Sequence, residues 1–302
     1  MAQPHTINHA FWTVVGEGAI GLLSAARLHL AGYPVQLHRR TAGPFDFVFQ
    51  SAVSSQSLSL PSQIQQPYSS ILLPVKAYAV LDAVKQLLPL LSDNAQLVLS
   101  HNGMGTIEQL LPLLKPEQGL WFLSTSHGAF KPDHSTVVHS GLGQSVLGAL
   151  NQAALAQQQS VEQAMQAALG PLVVMADIWP ALWQKLAVNA VINPLTALHQ
   201  CKNGELSNSK YAAAVELLIE EFVLVAKAAG QDFSIEAIQN RVTQVIGQTA
   251  DNYSSMQQDF AKGRRNELDY ITGFLLKQAE QHQLQLPAHQ AIYQLLLQKS
   301  PR

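Results

Sequence analysis

The run Gly16-Glu17-Gly18-Ala19-Ile20-Gly21 constrains this chain more than any other feature, because of where it lies. Phe11 to Val15 is a short apolar run, Ala19 to Ala31 has helical composition closed by Gly32, and Val35 to His38 is a second short run. Together they predict a βαβ opening. A GxGxxG sequence alone is a weak signal. Placed between a strand and a helix, it lets backbone N–H groups and the positive helix end meet a pyrophosphate while the glycines permit close approach. Gly16, Gly18, Ala19, Ile20 and Gly21 are therefore candidate dinucleotide-binding positions. Gly141-Leu142-Gly143 lacks the third glycine and reads as a turn.

At the end of the second strand, a protein specific for the unphosphorylated nucleotide would place an acid for the ribose 2′-hydroxyl. This chain has Arg39 and Arg40 there. Guanidinium forks suit a 2′-phosphate, so the pair favours NADPH over NADH, with ligand-free surface arginines as the alternative.

Further strand-like runs at Ile71 to Val75, Gln96 to Ser100, Leu120 to Ser124 and Thr136 to His139 alternate with helix-like segments at Ala79 to Leu91 and Thr106 to Leu114. The alternation predicts a largely parallel sheet. Gln50 to Pro67, rich in Ser and Gln, reads as loops with one irregular strand at most, and Pro74 is unexpected inside a central strand. Asn151 to Ala168 suits two short amphipathic helices. After Gly170-Pro171 the character changes: Ile178 to Leu198, Lys210 to Ala229, Ile235 to Phe260 and Asn266 to His282 read as long helices. The natural cut is near Met175, giving a Rossmann-type α/β domain over residues 1–175 and an all-α domain over 176–302.

A chain of 302 residues with 47% hydrophobic and 13% charged residues can bury a sizeable core, which argues against disorder. The formal net charge of −2, from 18 basic and 20 acidic residues, supplies no large field of one sign for nucleic acid or anionic lipid. The expected partners are small polar ligands. Met1 to Ala10 lacks the basic flank and apolar core of a signal peptide, and no later segment is an apolar stretch long enough to span a bilayer. The single cysteine, Cys201, has no companion for a disulfide or a CxxC metal or redox motif. The expectations are a cytoplasmic protein without a metal, monomeric or homodimeric.

Two polar clusters fall just past strand ends: Lys76 after Ile71 to Val75, and His101-Asn102-Gly103 after Gln96 to Ser100. In an open α/β sheet the carboxyl ends of the strands line one crevice, so Lys76 and Asn102 are candidates for the nicotinamide end of a cofactor. Lys76 equally fits a solvated helix start. In the segment Leu182 to Asn193, Lys185, Asn189 and Asn193 recur at i, i+4 and i+8, a stripe covering roughly 80° at about 100° per residue. Nearly everything else there is apolar, so the stripe reads as the wall of a polar cleft rather than a solvent face. Pro194 is expected to distort the helix beyond Asn193.

Hydride reduction of a ketone leaves an alkoxide, and a positioned ammonium can supply both the proton and the compensating charge. Lysine shifts its pKa readily when desolvated, which suits Lys185 to a general-acid role near neutral pH. Asparagine amides orient a hydroxyl or carbonyl without adding charge. Farther on, Ser254-Ser255-Met256 reads as lying late in one helix, Gly263 as ending it, and Asn266 as capping the next, with Glu267 in its first turn. A carboxylate at a helix start suits a fixed hydrogen-bond acceptor, or simply complements the helix dipole. Arg264 and Arg265 serve an anionic ligand or solvate the turn.

The chain resembles the ketopantoate reductase family over nearly its whole length. The resemblance is carried by Gly16 to Gly21, Val75-Lys76-Ala77, His101-Asn102-Gly103-Met104-Gly105, Lys185-Leu186-Ala187-Val188-Asn189, Ile192-Asn193-Pro194-Leu195-Thr196-Ala197, Asn203-Gly204-Glu205-Leu206, Ser254-Ser255-Met256 and Glu267-Leu268-Asp269-Tyr270. It implies NADPH-dependent reduction of ketopantoate to pantoate and a C-terminal helical domain like that of 6-phosphogluconate dehydrogenase. It also implies that Lys185 is the general acid and Glu267 the substrate-orienting glutamate. Asn102, Asn189, Asn193 and Ser255 match substrate-contacting positions. Lys76, Arg40, Asn102 and Glu267 match positions near the cofactor, with Arg39 an alternative for the 2′-phosphate. Two other readings stay open at this point: a reductase of another branched 2-oxo acid, and an NADP(H)-sensing protein without turnover, the latter disfavoured by the presence of Lys185, Asn189 and Glu267 together.

Overall fold

The computed structural model describes residues 9–299. The chain runs β1 (Trp12–Val15), α1 (Ala19–Leu30), β2 (Val35–His38), β3 (Phe45–Gln50), β4 (Ser55–Leu60), β5 (Tyr68–Leu73), α2 (Ala77–Leu87), β6 (Leu91–Leu99) and α3 (Ile107–Leu110). It continues through β7 (Gly119–Thr125), β8 (Gly128–Phe130), β9 (Thr136–Gly141), β10 (Ser145–Ala149), α4 (Gln152–Leu155), α5 (Gln158–Leu169) and β11 (Leu172–Met175). Helices follow: α6 (Trp179–His199), α7 (Ala212–Ala228), α8 (Ile235–Gln248), α9 (Ser255–Ala261), α10 (Leu268–Gln281) and α11 (Pro287–Lys299). Two compact units divide the chain. The first holds the chain through Val75, Ala79–His101 and Glu108–Ile178, and the second holds Lys76–Tyr78, Asn102–Ile107 and the chain from Trp179 onward.

The first unit is an α/β Rossmann-type domain. Its seven-stranded sheet has the order β11-β10-β7-β6-β5-β1-β2. β2, β1, β5, β6 and β7 are mutually parallel, while β10 pairs antiparallel with β7 and parallel with β11. Strand order reverses between β1 and β5, the topological switch point at which open sheets of this kind bind ligands. Central strands are buried from end to end, as both-face coverage requires: Trp12 to Val15 and Leu97 to Leu99 are all inaccessible or nearly so.

A second sheet of four strands, β4-β3-β9-β8, packs on α1. Gln50 to Pro67 is expected to hold loops with one irregular strand at most, and Thr136 to His139 to join the parallel sheet. β4 is instead a regular strand against β3, and β9 joins β3 and β8 away from the main sheet. Phe45, Phe47 and Phe49 alternate inward with exposed Asp46, the period of a half-buried strand. Their rings join Leu22, Leu23, Leu28, Val137 and Met165 in the core, where each large side chain contributes roughly 1.5–3 kcal/mol. α1 is thus buried on more than one face, which is why its sequence, AIGLLSAARLHL, shows no polar stripe.

The second unit is all helical apart from its two inserted segments, with α6 packed by α7, α8, α9, α10 and α11. The helices differ from expectation in two places. The long helix from Ile235 to Phe260 is two helices: α8 stops at Gln248, and Ser254 caps α9 by accepting from Gln257 N at 3.1 Å. Ser255 therefore begins a helix rather than lying late in one. α6 runs to His199 past Pro194, close to the helix expected to Leu198, and the Thr196 hydroxyl donates to the Ile192 and Asn193 carbonyls. α11, unmarked in the sequence, is capped from another helix: Glu221 of α7 accepts from Ala288 N (2.7 Å), His289 N (2.9 Å) and His289 Nδ1 (2.8 Å). Among the described residues no helix is long and apolar enough to cross a membrane.

Where both sheets meet α5, His127 Nδ1 lies 3.0 Å from His139 Nε2 and accepts from Gly143 N at 3.2 Å. His127 Nε2 faces the Leu169 carbonyl at 3.1 Å. Because His127 Nδ1 accepts from Gly143 N, its proton lies on Nε2 toward Leu169, and His139 donates to it from Nε2. Burial depresses the His127 pKa, helped by His139 and Arg27; burial, then Arg27, depresses that of His139. Depressed folded values mean stability present above the unfolded pKa of about 6.5 and lost as pH falls below it. The melting temperature is expected to fall between about pH 7.5 and about pH 5.5, and His139→Gln is expected to flatten that dependence. Scanning fluorimetry across the range checks it; an unchanged slope in the variant would place the acid sensitivity elsewhere.

Candidate active site

β1 ends at Val15 and the fingerprint glycines follow, with Gly18 at the N-cap of α1. The first turn of α1 has no side-chain cap and no acidic residue, so its backbone N–H groups are left for an anion. Pro74 lies just past β5, not within it, and its Cγ stands 3.3 Å from where a Cβ on Gly21 would be. A side chain on the third glycine would press on a proline of the neighbouring strand end. At the end of β2 the two arginines separate. Arg39 Nε is bound to Glu17 Oε2 at 2.8 Å and its guanidinium lies 4.3 Å over the Phe45 ring, whereas Arg40 is exposed.

In the helical unit, Glu267 is 3% exposed and is the N-cap of α10 rather than a first-turn residue; Asn266 Oδ1 accepts from Leu268 N at 3.0 Å. The Glu267 carboxylate makes no cap bond to its own helix. It accepts instead from Ala77 N (3.0 Å), Lys76 Nζ (3.3 Å) and Asn102 Nδ2 (3.4 Å). Ala77 opens α2, so the carboxylate caps a different helix from the one it begins. Asn102 is held close by its neighbours: Met104 N donates to the Tyr270 carbonyl at 2.8 Å. Gly103, at φ +80°, lies so near Tyr270 that a Cβ would run into its backbone.

Lys76 also reaches Asp259 Oδ2 at 2.9 Å, and Asp259 holds Arg264 Nη2 at 2.8 Å. Burial works against the Lys76 ammonium, but the charges and hydrogen bonds of Glu267 and Asp259 outweigh it, so its pKa lies above the ordinary lysine value. Lys185 shows the opposite balance. Its side chain keeps some contact with solvent, yet the protein packed around it lowers its pKa to about 8, with Glu267 opposing the shift. Asn189, one turn along α6, is partly exposed, and Asn193, a further turn along, is 6% exposed. The stripe therefore runs inward along the helix. Ser255 is exposed at the start of α9, while its neighbour Ser254 is buried against Thr196 Oγ1 at 2.7 Å.

The helical unit thus brings together Lys76, Asn102 and Glu267 by hydrogen bonds, and Lys185 with Glu267 electrostatically. Asp259 escaped the sequence reading. Its role comes from a partner 183 residues away, which no local pattern marks. Asn203, in a motif assigned no role, donates to Thr249 Oγ1 at 2.9 Å and leaves its buried amide oxygen without a hydrogen-bond partner. Among the described residues no group of three His, Cys, Asp or Glu side chains is placed to hold a metal.

A nucleotide-binding Rossmann fold joined to a helical unit that gathers a lysine, a glutamate and an amide is the construction of a dehydrogenase or reductase. Family models described as ketopantoate reductase match residues 12–152 and, for the C-terminal part, 177–300. The chain belongs to the ketopantoate reductase family and is an oxidoreductase of that family. It is 38% identical over 284 residues to the 2-dehydropantoate 2-reductase of Vibrio cholerae, covering 93% of this chain and 95% of that one. It is 36% identical over 292 residues to that of Yersinia pestis, covering 95% and 94%. A solved structure of a probable 2-dehydropantoate 2-reductase from Bacillus subtilis superimposes with a TM-score of 0.81 at 27% identity, covering 96% of this chain and all of that one (100%).

Asp259 holds two cations while almost fully buried, so removing it leaves Arg264 without its carboxylate and Lys76 with Glu267 alone. Asp259→Ala is expected to lower unfolding free energy by about 1–3 kcal/mol, less than for a fully buried pair because Lys76 and Arg264 are partly exposed. Urea denaturation reads this directly; a change below about 0.5 kcal/mol would mean the bridge is solvent-screened.

Proposed function

We propose that this protein reduces ketopantoate to pantoate with NADPH, with Lys185 as general acid. The observation that carries the reading is the buried carboxylate of Glu267, which binds Lys76 and Asn102 by hydrogen bonds and acts electrostatically on Lys185. Family membership supports the substrate. The exposed Arg40 at the end of β2, where an NADH-specific protein would carry an acid, supports the cofactor. The nucleotide fits the residues present: the first turn of α1 is uncapped, and Gly21 has no side chain to separate it from Pro74. Gly16, Gly18, Ala19, Ile20 and Gly21 would hold its pyrophosphate and Arg40 its 2′-phosphate, Arg39 being committed to Glu17. Bound there, NADPH supplies a hydride to C2 of the 2-oxo acid.

Lys185 donates a proton from Nζ to the carbonyl oxygen as charge develops on it, so ketone, hydride and proton together give the alcohol. A pKa near 8 leaves the ammonium charged at neutral pH yet a far better proton donor than an ordinary lysine. Glu267, held by the Ala77 N–H, accepts from the substrate hydroxyl, and Asn102, Asn189, Asn193 and Ser255 orient the remaining polar groups. Lys76 is paired with two carboxylates, and its charge holds Glu267 in place. The protein is expected to work in the cytoplasm on this small molecule, as a monomer or homodimer.

An NADPH-oxidation assay across a panel of 2-oxo acids is expected to favour ketopantoate; a better branched 2-oxo acid would replace the substrate assignment. Activity should fall as pH rises through about 8, because the acid must be protonated. Lys185→Ala should lower turnover by roughly 10²-fold or more and erase that limb, with NADPH affinity little changed. A folded variant with near-normal saturated turnover would rule the mechanism out.

Cofactor choice is tested separately. The unmodified protein is expected to bind NADPH more tightly than NADH, and Arg40→Asp to weaken NADPH by about tenfold or more while leaving NADH little affected. Equal losses for both nucleotides would show that Arg40 does not read the 2′-phosphate.

A further inference from the structure

We infer that Lys131, contributed by the second sheet, is a specificity-determining residue that reads the 2′-phosphate of the nucleotide together with Arg40. The inference rests on the NADPH reading above and adds a residue from a part of the chain that bears no glycine fingerprint.

Lys131 directly follows β8, at the edge of the four-stranded sheet. Its Nζ donates to the backbone carbonyl of Glu17 at 2.9 Å, and Glu17 stands between the first two glycines of the fingerprint. A cation has therefore been carried to the nucleotide-binding turn by an element far from it in sequence. That position has an unbalanced charge. The one carboxylate on the turn, Glu17, is engaged by Arg39 at 2.8 Å. Among the described residues no carboxylate lies within ion-pair distance of Lys131, whose bond to Glu17 is to a neutral oxygen.

Arg39 repels the Lys131 ammonium, while Glu17 and Asp133 support it only through space; burial is the largest influence, and the pKa is lowered overall. A half-buried ammonium with a neutral acceptor, an arginine nearby and an exposed Arg40 at the adjacent strand end makes a turn with surplus positive charge. A phosphate dianion on the ribose would supply the missing counter-charge, and charge-assisted contacts of this kind are the strong ones. A lysine serves here as a point charge that can leave the Glu17 carbonyl, whereas Arg39 is fixed by its ion pair and by the Phe45 ring. The alternative is that Lys131 only ties the second sheet to the turn, in which case it would support every nucleotide alike.

Binding of NADPH and NADH to Lys131→Met, Lys131→Gln and Lys131→Arg, measured by fluorescence titration at two salt concentrations, separates these roles. The inference expects the two neutral variants to bind NADPH about tenfold or more weakly with a shallower salt dependence, NADH to change less than about twofold, and Lys131→Arg to recover most of the loss. Parallel losses of NADPH and NADH, or no loss of either, would overturn it. If Lys131→Met does not fold, Lys131→Gln and Lys131→Arg give the same comparison. The unmodified protein reads the underlying assumption: equal affinity for both nucleotides would overturn the NADPH reading itself. A clear NADPH preference that survives loss of the lysine overturns only the role of Lys131.

Discussion

The helical unit is organised around one buried carboxylate. A Glu that is 3% exposed must have its charge and lone pairs met, or it destabilises the fold that buries it. Glu267 meets this need with the first N–H of α2, the Lys76 ammonium and the Asn102 amide, none of them near it in sequence. This is why Lys76–Tyr78 and Asn102–Ile107, which follow strands β5 and β6, belong to the helical unit rather than to the sheet that delivers them. The packing of Gly103 and the Met104 N–H on the Tyr270 backbone reinforces the second of these segments.

The same carboxylate acts on two lysines with different results. Lys76 has a second acid, Asp259, and the two together overcome burial, so its charge is fixed. Lys185 is influenced by Glu267 alone among the acids, and burial wins, bringing its pKa down to about 8. A lysine whose charge is held and a lysine whose proton is more easily lost are thus distinguished by the number of carboxylates near each. The apolar surroundings of α6, with Leu182, Trp183, Leu186 and Ala190 all buried, produce the desolvation that makes Lys185 the weaker base.

Much of this was legible in the sequence. The glycine run between a strand and a helix marked the nucleotide turn, and the i, i+4, i+8 stripe of Lys185, Asn189 and Asn193 marked a polar face on a buried helix, because both depend on local periodicity. The second sheet was not legible, since β4 is a Ser- and Gln-rich strand whose pairing comes from β3, and the alternation of Phe45, Phe47 and Phe49 was the only local sign of it. The break between α8 and α9 was also missed, because apolar spacing continues across it and only the Ser254 cap interrupts the helix. Asp259 and the trans cap by Glu267 depend on contacts across 183 and 190 residues, beyond any periodic signal.

Counter-charge also separates cations committed within the protein from those that hold no carboxylate. Arg39, Lys76 and Arg264 each hold a carboxylate at 3.3 Å or less, and their positions are set before any ligand arrives. Lys131 rests on a neutral carbonyl and Arg40 is exposed, both at the turn where the fold leaves helical N–H groups uncapped. An anion arriving there need not displace a carboxylate, so its contacts add to binding instead of replacing an ion pair already made. A phosphate that engaged Arg39 would have to compete with Glu17 across 2.8 Å, which is why the second arginine of the pair, and not the first, is the one suited to the ligand.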